Sequence, residues 1–393
     1  MYANRWVQFW LMGGLLWFLL GIAWMPSNKL YQQGLVAVLW LPTLAFLWSG
    51  REHLLVFWRT RRIECMAFMA LLLWAACSLW WAVVEEPVRE LKRLLYVSFF
   101  MVSFVLLRES DTRLSLLLQV SGLGLGLAAL VSMLNFYVWQ GHAWTARLQG
   151  IGELDHPILG GYVMGAAVVW LLCLMPKTLW ARLASLSAVG CLLAFVVLTQ
   201  SRGACAALLV SVLLLPLLMR GKLVWVLALG VLALAMLGFW MFEPLIMSRG
   251  VSYRPEIFIN SLRLIEANPW GVGLGVEYRV PILGTSRSFD HTHNLPLHIA
   301  VELGLPALLL GAILWLGAAR VAWLSRRTDL GCSVLILLVF SSVAMQFDAA
   351  SLWGTPRAEW FITWLPLALA TVLPSHVGPG EGCAKLPGQF PDR

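Results

Sequence analysis

Two histidines, His291 and His293, lie in the segment Asp290-His-Thr-His-Asn-Leu-Pro-Leu-His298, which closes a long polar loop in an otherwise apolar chain. Imidazole is the side chain that changes its charge nearest to neutral pH. Arginines occur in the same loop and in its neighbours, and guanidinium groups bind phosphate oxygens in a bidentate manner. Together these residue types predict proton-transfer chemistry on an anionic substrate.

A helix is predicted to begin directly after His293. Asn294 is a typical N-cap residue and Pro296 is typical of a first turn. The positive end of the helix dipole disfavours imidazolium, so His293 is expected to stay neutral and available as a base. His298 and Glu302 lie one helical turn apart, and we expect them to pair and to hold the start of this helix in place.

A metal ion is the alternative interpretation of the histidine pair. His291 and His293 could be two ligands and Asp290 a third, as in some zinc sites. The outer loops contain no further histidine at ligand spacing, and no Asp-x-Asp motif occurs. We therefore expect neither a metal nor another cofactor.

The composition places the chain in a membrane. Hydrophobic residues make up 60% of it and charged residues 12%, which is too few polar side chains to cover a soluble protein. Because a span needs about 20 apolar residues, we predict an all-α polytopic membrane protein in which residues 1–393 form a single membrane domain. About twelve transmembrane helices are expected, centred near Leu15, Leu39, Leu73, Phe100, Leu127, Val168, Leu192, Leu209, Leu232, Leu309, Leu338 and Leu367.

The distribution of basic residues predicts the orientation. The even-numbered loops are short and basic, so the positive-inside rule places them, and both termini, in the cytoplasm. The largest odd-numbered loop, residues 243–294 between spans 9 and 10, is predicted to be partly helical and to face outward. Twelve cations fall in outward loops: Lys29, Arg89, Lys92, Arg93, Arg147, Arg202, Arg249, Arg254, Arg263, Arg279, Arg287 and Arg357.

These outward cations favour a polyanionic ligand such as a lipid phosphate or a pyrophosphate. The alternative is that long loops escape the positive-inside bias, which applies to residues 243–293. That alternative does not explain Arg202, which lies in a very short turn at a predicted helix start, where charge is costly. Arg202 is therefore a strong candidate for a functional residue.

Several other loop residues are candidates for substrate binding. Arg254 precedes Pro255 at a predicted helix start, and Arg263 falls on the polar face of that helix, where solvation is the simpler interpretation. Arg147 precedes His156-Pro157 in an irregular loop. The sequence from Glu85 to Leu95 predicts either a short interfacial helix with one basic face or a solvated turn, and its basic residues are Arg89, Lys92 and Arg93.

Four segments resemble the O-antigen ligase and polymerase superfamily. They are Arg147-Leu-Gln-Gly150, Gln200-Ser-Arg-Gly203, Tyr253-Arg-Pro-Glu-Ile-Phe258 followed by Asn268-Pro-Trp-Gly-Val-Gly-Leu-Gly275, and His293-Asn-Leu-Pro-Leu-His-Ile-Ala-Val-Glu-Leu-Gly304. The order of these motifs, with a large outer loop that ends in His-Asn, is more specific than any one of them.

The resemblance implies a GT-C-like glycosyltransferase of the bacterial inner membrane with its active site facing the periplasm. Its donor would be a glycan on undecaprenyl diphosphate and its acceptor the lipid A-core oligosaccharide. It further implies that Arg202 and Arg254 hold the diphosphate and that His293 acts in catalysis. The nearby His291 leaves open which imidazole is the base, and His291 and Asn294 join the expected substrate contacts.

Competing functions remain open within and outside the superfamily. A polymerase would extend the glycan on its lipid carrier, and a protein O-oligosaccharyltransferase would glycosylate protein hydroxyls. A transporter of lipid-linked glycans predicts charges along the middle of the spans, whereas the charges here gather at the outer edge. Membrane lipids are expected partners and nucleic acid is not.

Overall fold

The computed structural model describes residues 2–107, 111–219, 253–282 and 286–374, together with short stretches between 221 and 236. The predicted span near Leu232 and the first part of the predicted outer loop, residues 243–252, fall largely outside the described residues. The same holds for the C-terminal residues 375–393.

The described chain is almost entirely helical. Its α-helices are α1 (Tyr2–Trp24), α2 (Asn28–Leu35), α3 (Leu41–Phe46), α4 (Arg51–Thr60), α5 (Arg62–Ser78), α6 (Pro87–Leu107), α7 (Asp111–Met133), α8 (Pro157–Cys173), α9 (Leu179–Leu198), α10 (Arg202–Leu218), α11 (Arg254–Ala267), α12 (Leu295–Leu324), α13 (Asp329–Ala344) and α14 (Trp364–Val372). Val36–Trp40 and Leu134–Trp139 are π-helical, and Gly152–Leu154 and Ala358–Phe361 are single 3₁₀ turns. In the outer loop, β1 (Val280–Pro281) pairs antiparallel with β2 (Ser288–Phe289), with Val280 opposite Phe289.

The helices support a membrane-spanning protein. By length and composition, four helices among the described residues can cross a membrane: Trp6–Trp24, Thr112–Trp139, Leu179–Leu198 and Leu295–Leu324. Asn28–Phe46 and Arg51–Thr60, bent by 83° at their junction, would add a fifth if they form one span. Shorter apolar helices contain the centres predicted near Val168, Leu209, Leu338 and Leu367. The number of twelve spans stays a prediction.

Helix α8 forms the centre of the bundle. Every residue from Gly160 to Cys173 is buried, and the helix packs against α7, α9, α10 and α13. Two glycines permit this close approach, because a Cβ at Gly165 would lie 2.7 Å from the Phe340 ring and one at Gly161 would lie 3.1 Å from Ala204. A helix that is apolar on all sides is expected in such a buried position.

The odd-numbered loops meet at one end of the bundle. A Cβ at Gly152 would lie 2.4 Å from the carbonyl oxygen of Ala23, and one at Gly273 would lie 2.5 Å from Ala82. At the opposite end, the guanidinium of Arg61 donates a 2.7 Å hydrogen bond to the carbonyl oxygen of Leu373. The fifth predicted outer loop therefore packs against the first, and the ninth packs against the third.

The basic third loop is not a separate interfacial helix. Helix α6 begins at Pro87 and continues without interruption to Leu107, so Arg89, Lys92 and Arg93 occupy its first turns. Proline is favoured at a first helical position, and the apolar residues that follow Arg93 extend the same helix into the bundle. Neither of the two alternatives considered from the sequence, a short interfacial helix or a solvated turn, is found.

A break in α12 seats the outer loop on the membrane helices. Gly304 has φ 77° and ψ 180°, a backbone region essentially restricted to glycine, and Pro306 follows it. The loop turn Asn268–Gly275 packs into this break, where the amide of Leu305 donates to the carbonyl oxygen of Pro269 at 3.0 Å. Gly271, Gly273 and Gly275 all have positive φ, so this glycine-rich segment forms a tight turn.

We expect Gly304→Ala to destabilise the protein by roughly 1–3 kcal/mol from the backbone conformation alone. Its added Cβ would also lie 2.4 Å from the backbone carbon of Trp270, which cannot move aside like a flexible side chain. The measurement is the thermal unfolding midpoint in detergent. Gly311→Ala in the same helix is the matched control, because a Cβ there meets nothing within 4 Å. Equal midpoints for the two variants would contradict the interpretation of the break.

Candidate functional site

The short turn that follows α13, residues Met345 to Asp348, joins several segments of the outer end. The carbonyl oxygen of Met345 accepts a 2.9 Å hydrogen bond from the amide of Leu295, the first residue of α12. The amide side chain of Asn294 donates to Oε1 of Gln346 at 2.8 Å. We call residues 345–348 the hub turn.

The carboxylate of Asp348 contacts both histidines of the predicted motif. Its Oδ1 lies 3.3 Å from Nε2 of His291 and 3.2 Å from Nδ1 of His293. The two imidazole rings are 3.9 Å apart between centroids. Nδ1 of His291 also lies 2.7 Å from Oδ1 of Asp290. Asp348 is therefore a member of this group that was not among the candidate residues predicted from the sequence.

The two carboxylates are ionised at neutral pH. Burial alone would raise the pKa of Asp348, but its hydrogen bonds with His291 and His293 outweigh burial and hold the pKa well below its usual range. The hydrogen bond from His291 likewise lowers the pKa of Asp290. An ionised carboxylate only accepts hydrogen bonds, so each histidine nitrogen that faces one of these oxygens carries a proton.

This rule distinguishes the two histidines. Both nitrogens of His291 face carboxylates, so both are protonated and the ring is an imidazolium. Burial alone would lower the pKa of His291, but the hydrogen bonds to Asp348 and Asp290 outweigh burial and raise it. Among the described residues, His293 contacts a carboxylate through Nδ1 alone, so its Nε2 is the nitrogen placed to accept a proton.

His293 also has an uncommon backbone conformation. Its φ is +51°, in the left-handed region that residues other than glycine rarely occupy. Asn294 follows as the N-cap of α12, and its side chain accepts a 3.1 Å hydrogen bond from the amide of Leu297, so the predicted helix start is confirmed. Backbone strain of this kind is concentrated at functional sites. In this conformation Nδ1 of His293 lies 3.2 Å from Oδ1 of Asp348.

Two predicted arginines begin helices that adjoin the hub turn. The guanidinium carbon of Arg254, at the start of α11, lies 5.6 Å from the centroid of the Phe347 ring. Arg202 begins α10, and its neighbour Gly203 packs so closely that a Cβ there would lie 2.6 Å from Phe347. Phe347 thus separates the starts of two helices, and each start carries an arginine.

Arg147 lies beside the turn that precedes Arg202. Its Nε donates to the carbonyl oxygen of Thr199 at 3.0 Å, and the side chain of Gln200 donates to the carbonyl oxygen of Thr145 at 2.9 Å. Gln200, like His293, has φ +51°. The structure therefore brings Arg147, Arg202, Arg254, His291, His293 and Asn294 to one end of the bundle.

Comparison with known proteins agrees with this arrangement. The family model described as O-antigen ligase matches residues 187–312. The O-antigen ligase of Pseudomonas aeruginosa is 30% identical to this chain over 380 residues, which cover 94% of this chain and 92% of that protein. The chain belongs to the O-antigen ligase family. Membership implies a glycosyltransferase-type enzyme, and the apolar helices indicate a multi-pass membrane protein.

The family match does not extend over the whole site of this O-antigen ligase family member. It includes Arg202, Arg254 and both histidines, whereas Asp348 and Arg147 lie outside residues 187–312. Asp348 was detectable in principle, because a single carboxylate directly after an apolar run is unusual. Nothing in the spacing, however, connects it to histidines more than fifty residues earlier.

The basic residues of α6 flank Glu90, which approaches Gly275 of the outer-loop turn. Arg93 is paired with the buried Glu90 at 2.7 Å, and Arg89 contacts Glu86 at 3.2 Å. Nζ of Lys92 lies 5.4 Å from the centroid of the Tyr96 ring. Nearby acids therefore compensate much of this positive charge.

Arg263 lies on the exposed side of α11, about 13 Å along the helix axis from Arg254. Its Nη1 donates to Oδ1 of Asn260 at 3.2 Å, and Nδ2 of Asn260 in turn donates to the carbonyl oxygen of Pro281 at 2.7 Å. This chain of contacts braces the β1 strand against α11.

His298 and Glu302 form a second polar group inside the start of α12. Nε2 of His298 lies 3.3 Å from Oε2 of Glu302, although the angle between them is not that of a hydrogen bond. The Tyr278 hydroxyl lies 2.6 Å from Nδ1 of His298, and the amide of Gly275 donates to Oε1 of Glu302 at 3.0 Å. These contacts fasten the outer loop to the helix, which is the structural role expected from the sequence.

The ligand atoms of His291, His293 and Asp348 lie within 4.8 Å of one another, close enough for a divalent ion. Asp348 would then replace Asp290 as the third ligand considered from the sequence. A histidine nitrogen that bears a proton cannot bind a metal, and in the charge state derived above the nitrogens facing Asp348 are protonated. The absence of a metal stays a prediction.

The raised pKa of His291 predicts a pH-dependent stability. A group whose pKa is higher in the folded state stabilises the protein below its unfolded value, and this contribution is lost as the pH rises through the folded value. We expect the thermal midpoint in detergent to fall as the pH rises from about 6.5. Both aspartates have lowered pKa values, so they stay ionised throughout this range.

His291→Gln should lack this fall in the thermal midpoint. His142→Gln should retain this fall. His142 is exposed, stacks on Phe136 and lies in a different loop from His291. Parallel curves for the wild type and His291→Gln would show that His291 does not carry the charge.

Proposed function

We propose that this chain transfers a glycan from undecaprenyl diphosphate to the lipid A-core oligosaccharide on the periplasmic face of the inner membrane. His293 is the general base, and Arg202 and Arg254 bind the diphosphate. The observation that carries the proposal is the hub turn, which brings the imidazole of His293 and the starts of two arginine-bearing helices together.

The reaction is a nucleophilic substitution at the anomeric carbon of the donor sugar. An acceptor hydroxyl oxygen forms a bond to that carbon while the bond from the carbon to the diphosphate oxygen breaks. Nε2 of His293 takes the hydroxyl proton, and the lipid diphosphate leaves with the bonding electron pair. Attack from the face opposite the leaving group inverts the anomeric configuration. A positioned base of this kind contributes about 10²–10⁴-fold to the rate.

The arginines stabilise the charge that develops on the leaving diphosphate. Arg202 begins α10 with Ser201 as its N-cap, and Arg254 begins α11. A helix N-terminus carries partial positive charge and unpaired amides, so each helix adds to the field of its arginine. Such pre-organised cations replace the metal ion that other sugar transferases use, which supports a metal-independent reaction.

The donor must carry its own activation, because the periplasm contains no ATP supply. A diphosphate linkage meets this requirement. Arg147, next to the turn before Arg202, is proposed to extend the diphosphate site, and Asn294 to contact the glycan. Arg263 stays a weaker candidate because it lies toward the far end of α11.

The acceptor phosphates are proposed to bind at the start of α6. Arg89, Lys92 and Arg93 form this surface, and Arg89 is the more accessible of the two paired arginines, with 55% of its side chain exposed against 25% for Arg93. The glutamates at positions 86 and 90 weaken the net attraction. We therefore expect a modest contribution to acceptor binding from each cation.

Deletion of the gene from its host, followed by gel analysis of cell-surface lipopolysaccharide, tests the assignment. We expect lipid A-core without a ladder, together with long glycans that accumulate on undecaprenyl diphosphate. Wild-type protein should restore the ladder, His142→Gln should restore it equally, and His293→Gln should not. A core that bears a single repeat unit would identify a polymerase instead, and an unchanged ladder would contradict both.

Arg254→Lys tests the diphosphate site in a purified transfer assay. Lysine keeps the charge but loses the bidentate fork, so we expect kcat/KM for the donor to fall about tenfold or more. Arg202→Lys should behave alike. Arg182→Lys at the start of α9 is the matched control. This arginine lies in a loop predicted to face the cytoplasm, where its Nε donates a hydrogen bond to the carbonyl oxygen of Pro176. If the variant instead changed only the KM for the acceptor, with kcat/KM for the donor intact, Arg254 would not belong to the donor site.

A further inference from the structure

His291 has no nitrogen left for a phosphate. Its Nδ1 lies 2.7 Å from Asp290 and its Nε2 lies 3.3 Å from Asp348, with 20% of its side chain exposed. A role in binding the diphosphate would require one of these nitrogens to leave its carboxylate. The contacts therefore favour a role that acts through the neighbouring side chains.

The partners of His291 differ in exposure. The Asp290 side chain is 84% exposed, whereas that of Asp348 is 10% exposed. Glu359, which is buried, and Asp348 both interact with His291, and Arg357 lies 4.0 Å from Glu359. The guanidinium of Arg254 lies over the face of the Phe347 ring. His291 is thus in direct contact with a buried carboxylate that it shares with His293.

The spacing of the two rings makes a second positive charge unfavourable. Their centroids are 3.9 Å apart, and both contact the same oxygen of Asp348. Like charges about 4 Å apart repel strongly even in a partly solvated site. Two carboxylates bind His291 but only one binds His293, so the single proton in excess belongs on His291.

We propose that His291 is a positioning residue, held as an imidazolium between Asp290 and Asp348, which keeps His293 neutral and able to accept the acceptor's proton. This inference rests on the proposed role of His293 as the base. His291 then sets the proton affinity of that base, and the exposed Asp290 is the outer partner of the imidazolium.

The direction of the effect follows from the charges. Protonated His293 cannot act as a base, so the acid limb of the pH profile of kcat/KM reports its protonation in the free enzyme. Removal of the His291 charge raises the proton affinity of His293. The acid limb should therefore move to higher pH. At alkaline pH, where His293 is neutral in both proteins, the two rates should converge.

The test compares pH profiles of the transfer assay for the wild type, His291→Gln and Asp290→Asn. We expect the acid limb of His291→Gln to shift upward by about one pH unit or more. Below this limb its rate should be about tenfold or more below that of the wild type, since one unit of pKa corresponds to tenfold. Asp290→Asn should shift the limb by less than His291→Gln does, because the imidazolium keeps its contact with Asp348 while a negative charge beside both histidines is lost.

Several controls separate this effect from damage to the fold. Every variant is measured with the same donor, so ionisation of the substrate cancels in the comparison. His142→Gln should have the wild-type profile. Asp290 is largely exposed, so Asp290→Asn remains informative if His291→Gln does not fold. A purely structural role for His291 would lower the rate by the same factor at every pH, and that result would overturn the proposal.

The two proposals can fail separately. If His293→Gln retains the wild-type rate and acid limb, the base assignment is wrong and the role of His291 falls with it. If His293→Gln is inactive but the acid limb does not move in either His291→Gln or Asp290→Asn, only the His291 proposal is overturned.

Discussion

The shared carboxylate of Asp348 is the interaction on which the candidate site depends. This carboxylate is only 10% exposed and accepts hydrogen bonds from His291 and His293, which come from a loop distant in sequence. An ionised carboxylate in such a position needs partners, because burial without them is costly. The two histidines meet that need. In return, Asp348 determines which nitrogen of each ring carries a proton, and so which ring can act as a base.

The hub turn places the histidines relative to the arginines. Residues 345–348 follow α13 directly, so they are held by a helix whose residues are largely buried. Phe347 contacts the start of α10 and faces Arg254, while Met345 and Gln346 hold the start of α12. A site built on helix starts is more rigid than one on free loops. The strained φ values of Gln200 and His293 are maintained by these surrounding contacts.

A second set of buried charges holds the outer loop in place without touching the proposed chemistry. Glu302 accepts from the amide of Gly275, and Glu90 approaches the same glycine while it pairs with Arg93. Charged residues near the membrane are often functional, yet these are explained by the packing of the loop against α6 and α12. The difference lies in their partners: Glu90 pairs with Arg93, and Oε1 of Glu302 accepts from the amide of Gly275, so both acids are held by groups of the scaffold.

Local signals in the sequence predicted many of the helices and most of the residues of the candidate site. Its apolar runs predicted the helices, its caps located the starts of α11 and α12, and its motif order indicated the family, because these are local signals carried by neighbouring residues. Only the tertiary structure decided that Asp348 joins His291 and His293, that these histidines differ in charge, and that the third-loop cations belong to a continuous α6 and pair with acids. Those features arise from contacts between segments far apart in the chain, and helical periodicity carries no information about such contacts.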